Sequence, residues 1–293
     1  MKKILFATDF STNANKAFCF ALNIAEKHQA ELIMVHVFDI PPVWNYPVSY
    51  NPSEMKRQTL SSWERTLKEF FEHYDTDVKA KFVAVEHPSV VRGIISAIKQ
   101  YKPDLVVTGT RGKSALKDAI LGGTTKALVK RSPIPVMAIP EHADQHGYDK
   151  VLYASDFREV DLNAIEQLVE LVKPYKPEIQ ILHISTDNEF KGMEKMEWFK
   201  ELIRENIDYQ NITFELVLSK DIFLTLYTHM SQDDFDLLVM LEKERSGIID
   251  QLFHEDLVKK MEFRTWIPLL SYNESYLNVS SDRDVEKSDT VAH

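Results

Sequence analysis

Four of the chain's eight glycines fall in one short stretch, GTRGKSALKDAILGGTT, residues 109 to 125. Glycine costs backbone entropy, and it is favoured where φ must be positive or where a ligand has to approach the main chain. The stretch follows an apolar run, DLVVTGT, and leads into a helix-like one, TTKALVKRS. Free N–H groups at the start of a helix bind phosphate, so the chemistry this pattern suggests is the cradling of a phosphorylated ligand. Two named phosphate motifs fail here. GKS at 112–114 resembles a Walker A end, but its earlier glycine would fall at Val107. The dinucleotide fingerprint after the first strand is also missing, because ATDFST contains no glycine. The plain alternative is a pair of tight turns with no ligand. It would require the long spacing, the domain repeat and the placement of Asp9 all to be coincidental.

Two further positions complement a phosphate loop. Asp9 follows the first apolar run, where a carboxylate can accept hydrogen bonds from ribose hydroxyls. The backbone near Val37, at the end of the second run, can pair with the edge of a base. Other chemistries find less support. The histidines show no HExxH motif and there are no cysteine pairs, so a metal site is not expected. No G-x-S-x-G elbow marks a serine nucleophile. The single cysteine, Cys19, lies among Phe18, Phe20 and Ala21 and reads as a buried, inert thiol.

These residues are positioned by a pattern that occurs twice. KKILFATDFSTNANKAF at 2 returns as DKVLYASDFREVDLNAI at 149, and AELIMVHVFD at 30 returns as PEIQILHISTD at 177. Asp9 matches Asp156 and His36 matches His183 at the same offset of 147 residues, the mark of a duplicated domain. PEHADQHGYD, polar and with Pro and Gly, is the natural linker. In the first half, short apolar runs (KILFAT, ELIMVHV, KAKFVAV, DLVVTGT, IPVMAI) alternate with helical periodicity. One helix is expected after an N-cap at Ser11 or Thr12, and another from about Ser53 to His73. Such alternation predicts a parallel α/β sheet with crossover helices, and a ligand at the carboxyl ends of its strands. The segment 38–52, with Trp44, Tyr46 and Tyr50, follows the second strand and can pack as a loop or cover a base. The tail from 273 onward is polar and reads as disordered.

Composition bounds the function classes. With 293 residues, 44% hydrophobic and 27% charged, the chain has room for two ordinary soluble domains. No apolar run is long enough to span a bilayer, and a single cysteine fits a reducing cytoplasm. The net charge of −10 argues against nucleic acid as a partner. That charge is split unevenly, at +4 over residues 1–146 and −14 over 147–293, so an anionic ligand is drawn to the first half.

The spacing G-x-x-G, nine residues, then G, read here as Gly109, Gly112 and Gly122, resembles the ATP-binding motif of the universal stress protein family. ILFATDFS, LIMVHVFD and SPIPVMAIP resemble that family's first, second and last strands. The likeness covers nearly all of residues 1–140, and the repeat extends it to a tandem member. The resemblance implies an α/β fold of two tandem Rossmann-like domains, of the adenine nucleotide alpha hydrolase-like kind, each with a five-stranded parallel sheet flanked by helices. The implied layout is a domain over 1–140, a linker over 141–148, a second domain over 149–272 and a tail over 273–293. It also implies pairing of domains through their last strands, internal here between Ile134–Ile139 and Ile267–Leu270, and leaves a homodimer open. Family contacts to adenosine carry over onto Ala7, Thr8, Asp9 and Val37. Those to phosphate carry over onto Gly109, Arg111, Gly112, Gly122, Gly123 and Thr124.

The chain departs from the family at several places. Gly123 stands where the family usually has Ser or Thr, with Thr124 or Thr125 as substitutes for the missing hydroxyl. EHPS replaces a loop that tends to carry glycine, and its Glu86 can repel a polyphosphate. The second half has lost the glycine loop: Glu242, Lys243, Glu244 and Arg245 stand at its start and His254 or Glu255 at its later position. Carboxylates there oppose phosphate. The resemblance therefore implies a cytoplasmic stress-response protein that takes ATP or another adenine nucleotide, with or without Mg2+, in the first domain only. It would act as a nucleotide-dependent interaction module toward a protein partner. The alternatives are a nucleotide-free scaffold, or slow ATP hydrolysis with no general base evident beyond Asp9.

Overall fold

The computed structural model describes residues 1–40, 51–110, 121–143, 147–186, 189–242, 267–274 and 277. Arg111, Gly112, the aromatic segment around Trp44, Tyr46 and Tyr50, residues 243–266 with His254 and Glu255, and nearly all of the tail lie outside them. The chain divides into two compact units. The first gathers the described residues up to 110 with Leu121–Leu128 and Met137–Glu141, and the second holds Val129–Val136 and those from 142 onward.

The first half alternates strand and helix in the order β1 (Lys3–Ala7), α1 (Thr12–His28), β2 (Glu31–Phe38), α2 (Pro52–Glu72), β3 (Ala80–Glu86), α3 (Val90–Tyr101), β4 (Leu105–Gly109), α4 (Gly123–Arg131) and β5 (Val136–Ile139). Local chemistry sets the boundaries. Ser11 caps α1, its hydroxyl accepting from the Ala14 N–H at 3.2 Å, which decides between the two candidate caps. Asn51 caps α2, with Pro at the first turn, and Ser89 caps α3. The strand order is β3-β2-β1-β4-β5. β1 runs parallel to β2 and to β4, with Ala7 opposite Val35 on one side and Thr108 on the other. The order reverses between β1 and β4, which is where open α/β sheets place ligands.

The second half runs β6 (Lys150–Ala154), α5 (Glu159–Val172), β7 (Glu178–Ser185), α6 (Glu189–Asn206), β8 (Ile212–Leu218), α7 (Ile222–Gln232), β9 (Leu237–Glu242) and β10 (Leu269–Asn273). Its strand order is β10-β9-β6-β7-β8, again parallel throughout.

The duplication reaches single hydrogen bonds. The Lys2 and Lys3 N–H groups donate to Asp104 Oδ2 at 2.5 and 2.9 Å, while those of Asp149 and Lys150 donate to Asp236 Oδ2 at 2.7 and 2.8 Å. After the first strand of each unit, Phe10 (φ 58°) and Phe157 (φ 50°) both enter the left-handed region. Each places its N–H on a hydroxyl two residues earlier, Thr8 at 3.0 Å and Ser155 at 2.8 Å. His36 and His183 each set Nδ1 against the carbonyl of that same residue, at 2.9 and 2.8 Å. A ring nitrogen facing a carbonyl carries the proton, so both imidazoles donate and lock the turn. Their recurrence is structural.

Candidate functional site

The candidates Ala7, Thr8, Asp9 and Val37 lie at the carboxyl ends of β1 and β2, beside that of β4. Ala7 and Thr8 are buried and Asp9 is half-buried. One Asp9 carboxylate oxygen accepts the Ser11 N–H at 3.0 Å, so the side chain is held in a short loop over the strand end. Val37 is positioned by its side chain, because a Cβ on Gly93 of α3 would fall 2.6 Å from Val37 Cγ1. The Thr8 N–H reaches the Val35 carbonyl, and the Phe38 carbonyl faces β3, where it accepts the His87 N–H. Strand alternation then turns the Val37 N–H and C=O toward the β1 side, just past the point where β1 ends.

Beside them, Gly109 closes β4 and α4 opens at Gly123. The Gly122 N–H donates to the Thr110 carbonyl at 2.7 Å, drawing the two ends of the intervening loop together. The Thr125 hydroxyl donates to the Gly109 carbonyl at 2.9 Å and is 4% exposed. Thr125 is thus committed to the fold, and of the two candidate substitutes only Thr124, half-buried, stands at the helix opening. Gly123 is exposed, and a Cβ there would meet nothing within 4 Å. The first turn of α4 has no acidic residue, and its N–H groups have no partner within the helix. Such a turn attracts anions. The structure therefore brings Ala7, Thr8, Asp9, Val37, Gly109, Gly122, Gly123 and Thr124 to one edge of the first sheet.

Glu86 ends β3, and Lys56 of α2 forms an ion pair with it at 2.5 Å, which sets a countercharge beside this carboxylate. Lys56 carried no sequence signal, because an exposed lysine on a charged helix is ordinary. Asn13 and Thr110 were also missed. Asn13 is 4% exposed on the apolar face of α1, beside Ala14, Ala17 and Phe18. A polar residue on that stripe was the available clue.

The equivalent edge of the second unit has a different character. Glu242, which ends β9, is 4% exposed. Asp161 of α5 is buried and accepts from Tyr153 Oη (2.9 Å), Ser155 Oγ (2.9 Å) and the Arg158 N–H (3.0 Å). Burial pushes its carboxyl above the ordinary range, against the pull of those donors. Arg158 in turn holds Glu274 with both guanidinium branches, at 2.9 and 3.2 Å. Burial lowers the His183 imidazole, partly offset by its bond to the Ser155 carbonyl. Among the described residues, this edge carries two buried carboxylates, Asp161 with its donors and Glu242. Among the described residues no three His, Cys, Asp or Glu side chains are grouped to hold a metal, and no helix is long and apolar enough to cross a membrane.

Comparison with known proteins bears on this geometry. A family model described as the universal stress protein family matches residues 1–140. A universal stress protein of Methanocaldococcus jannaschii is 30% identical over 151 residues, which span 47% of this chain and 81% of that relative. One of Thermus aquaticus is 30% identical over 138 residues, spanning 47% of this chain and 98% of the relative. The crystal structure of a universal stress protein from Archaeoglobus fulgidus superposes with a TM-score of 0.66 at 18% identity, over 93% of this chain and 98% of its own. At that identity the likeness concerns the fold, and it extends through both halves.

Proposed function

The chain belongs to the universal stress protein family, and from that premise we propose that its first domain, residues 1–140, binds ATP or a related adenine nucleotide while the second, 149–272 beyond a linker at 141–148, binds none. One observation carries the reading. The parallel pairing of β1 with β4 sets Ala7 opposite Thr108, so the chain leaves β1 toward Asp9 where β4 ends at Gly109, at the switch point and ahead of the opening turn of α4. The roles follow from residue chemistry. Asp9 accepts from ribose hydroxyls, the Val37 main chain meets the base, and Gly109, Gly122, Gly123 and Thr124 with Arg111 and Gly112 receive phosphate. Mg2+ would ride on the phosphates. The open surface at Gly123 and the ion-paired Glu86 both fit an anionic ligand. The buried Glu242 and Asp161 of the second unit oppose one. The nucleotide then serves as a signal read by a protein partner.

The test is calorimetric titration of the nucleotide-stripped full chain with Mg·ATP, beside Gly123→Glu. A carboxylate at the start of α4 has open space and favours the helix, so the variant should melt no lower than the native protein. It should nevertheless lose binding. Saturation near one nucleotide per chain, abolished by Gly123→Glu, supports the reading, and no binding by the native chain refutes it.

A further inference from the structure

We propose that Asn13, which has no part in the nucleotide contacts above, is the positioning residue that holds the base of the glycine loop closed. A carboxamide buried to 4% exposure in the first turn of α1 has to satisfy its polar atoms internally. Asn13 Nδ2 donates to the Ile139 carbonyl at 3.0 Å, and Oδ1 accepts from the Thr110 hydroxyl at 3.4 Å. The same Ile139 carbonyl takes the Thr110 N–H at 2.9 Å, and the Thr110 carbonyl takes the Gly122 N–H at 2.7 Å. Thr110 is thus held at its N–H, its hydroxyl and its carbonyl, and the last of these joins the two ends of the loop. Gly109 completes the collar. A Cβ at that position would lie 2.7 Å from Asn13 Oδ1 and 2.9 Å from Asn13 Cγ, so the carboxamide occupies the space a side chain at 109 would need. Gly109 therefore serves close packing against α1 as well as ligand approach. The effect on nucleotide affinity rests on the proposed function, whereas closure of the loop base does not.

Backbone amide exchange on the full chain without nucleotide separates the two. In Asn13→Ala, exchange at Gly122 should quicken at least tenfold while the β6 and β7 amides keep their native rates. Gly109→Ala should quicken it similarly in the native background, yet add little in the Asn13→Ala background, where the displaced carboxamide is gone. That non-additivity is the signature of direct coupling. Thr110→Val, near-isosteric and lacking only the hydroxyl, should give a smaller increase and stands in if Asn13→Ala does not fold. Mg·ATP affinity, measured well below the melting temperature, should fall at least tenfold in Asn13→Ala. Native exchange at Gly122 in both Asn13→Ala and Thr110→Val, or full additivity of Gly109→Ala and Asn13→Ala, would overturn the inference. Native ATP affinity in Asn13→Ala, where the parent chain binds, would overturn it as well. Absence of binding by the parent chain removes the proposed function and leaves the exchange coupling to decide the role of Asn13.

Discussion

At the scale of single residues, three of the glycines at the candidate edge differ in what surrounds them. Gly93 is pressed by Val37, Gly109 by Asn13, and Gly123 by nothing. Adding a side chain should therefore have opposite consequences at Gly93 and Gly123. Gly93→Ala forces a methyl into side-chain carbons 2.6 and 2.9 Å away, an overpacking that should cost about 1–3 kcal/mol and be read as a fall in the denaturant midpoint with unchanged slope. Gly123→Ser fits freely and supplies a hydroxyl at the opening of α4. If phosphate docks there, Mg·ATP should bind more tightly by roughly the worth of one charge-assisted hydrogen bond, about 1.5–3 kcal/mol or some ten- to hundredfold. Equal affinity in a competition titration would argue that phosphate sits elsewhere. Gly123 comes from the family resemblance, as the position that follows the last glycine of the spacing. The reason for Gly109 was not legible in the sequence, since it depends on a side chain almost a hundred positions away.

At the scale of elements, strands and helices were recoverable because their signals are local. The caps at Ser11 and Ser89 and the αL residues Gln29 and Lys102 that end α1 and α3 lie within one turn of what they terminate. Strand entry is controlled by a longer reach. Asp104 and Asp236, each just ahead of its unit's fourth strand, receive two main-chain N–H groups from the start of the first strand. Replacing Asp236 by Ala should release the start of β6 and destabilise the second unit by about 1–2 kcal/mol, much of it recovered by water at this partly exposed site. Asp236→Asn, which keeps an acceptor oxygen, should lose less. Thermal melts of the two variants side by side check the ordering. The equivalent Asp104 pair predicts the same ordering in the first unit.

At the scale of the whole molecule, the halves differ in charge, and the second carries two buried groups that titrate with opposite sign. His183 is held below its ordinary imidazole value by burial. Between its folded value and about 6.5 the unfolded chain holds more of this proton, so stability rises with pH through that window and is lost as pH falls through it. Asp161 has the opposite sign. Its folded carboxyl is raised by burial, so its contribution is largest below the unfolded value and declines as pH climbs through the folded one. The His183 contribution therefore falls away in the interval just below about pH 6.5, where the unfolded imidazole takes up the proton before the folded one. Denaturant unfolding should show stability dropping over that interval, and His183→Gln, which can still donate to the Ser155 carbonyl, should flatten the slope. An unchanged slope would assign the proton uptake to another histidine.

What the sequence by itself determined was the α/β alternation, the duplication at an offset of 147 residues, the glycine spacing and the split of charge between halves. All of these are written in neighbouring residues or in a repeat period, so pattern alone exposes them. Only the tertiary structure decided which polar groups are already spent. Thr125 is consumed by Gly109, Glu86 by Lys56, and Asn13 by Thr110 and Ile139, partners 97 and 126 positions distant. Such pairings depend on which crossover helix lies over which strand end. Once buried, each donor must find whatever acceptor the packing leaves within reach, and one-dimensional spacing does not encode that choice.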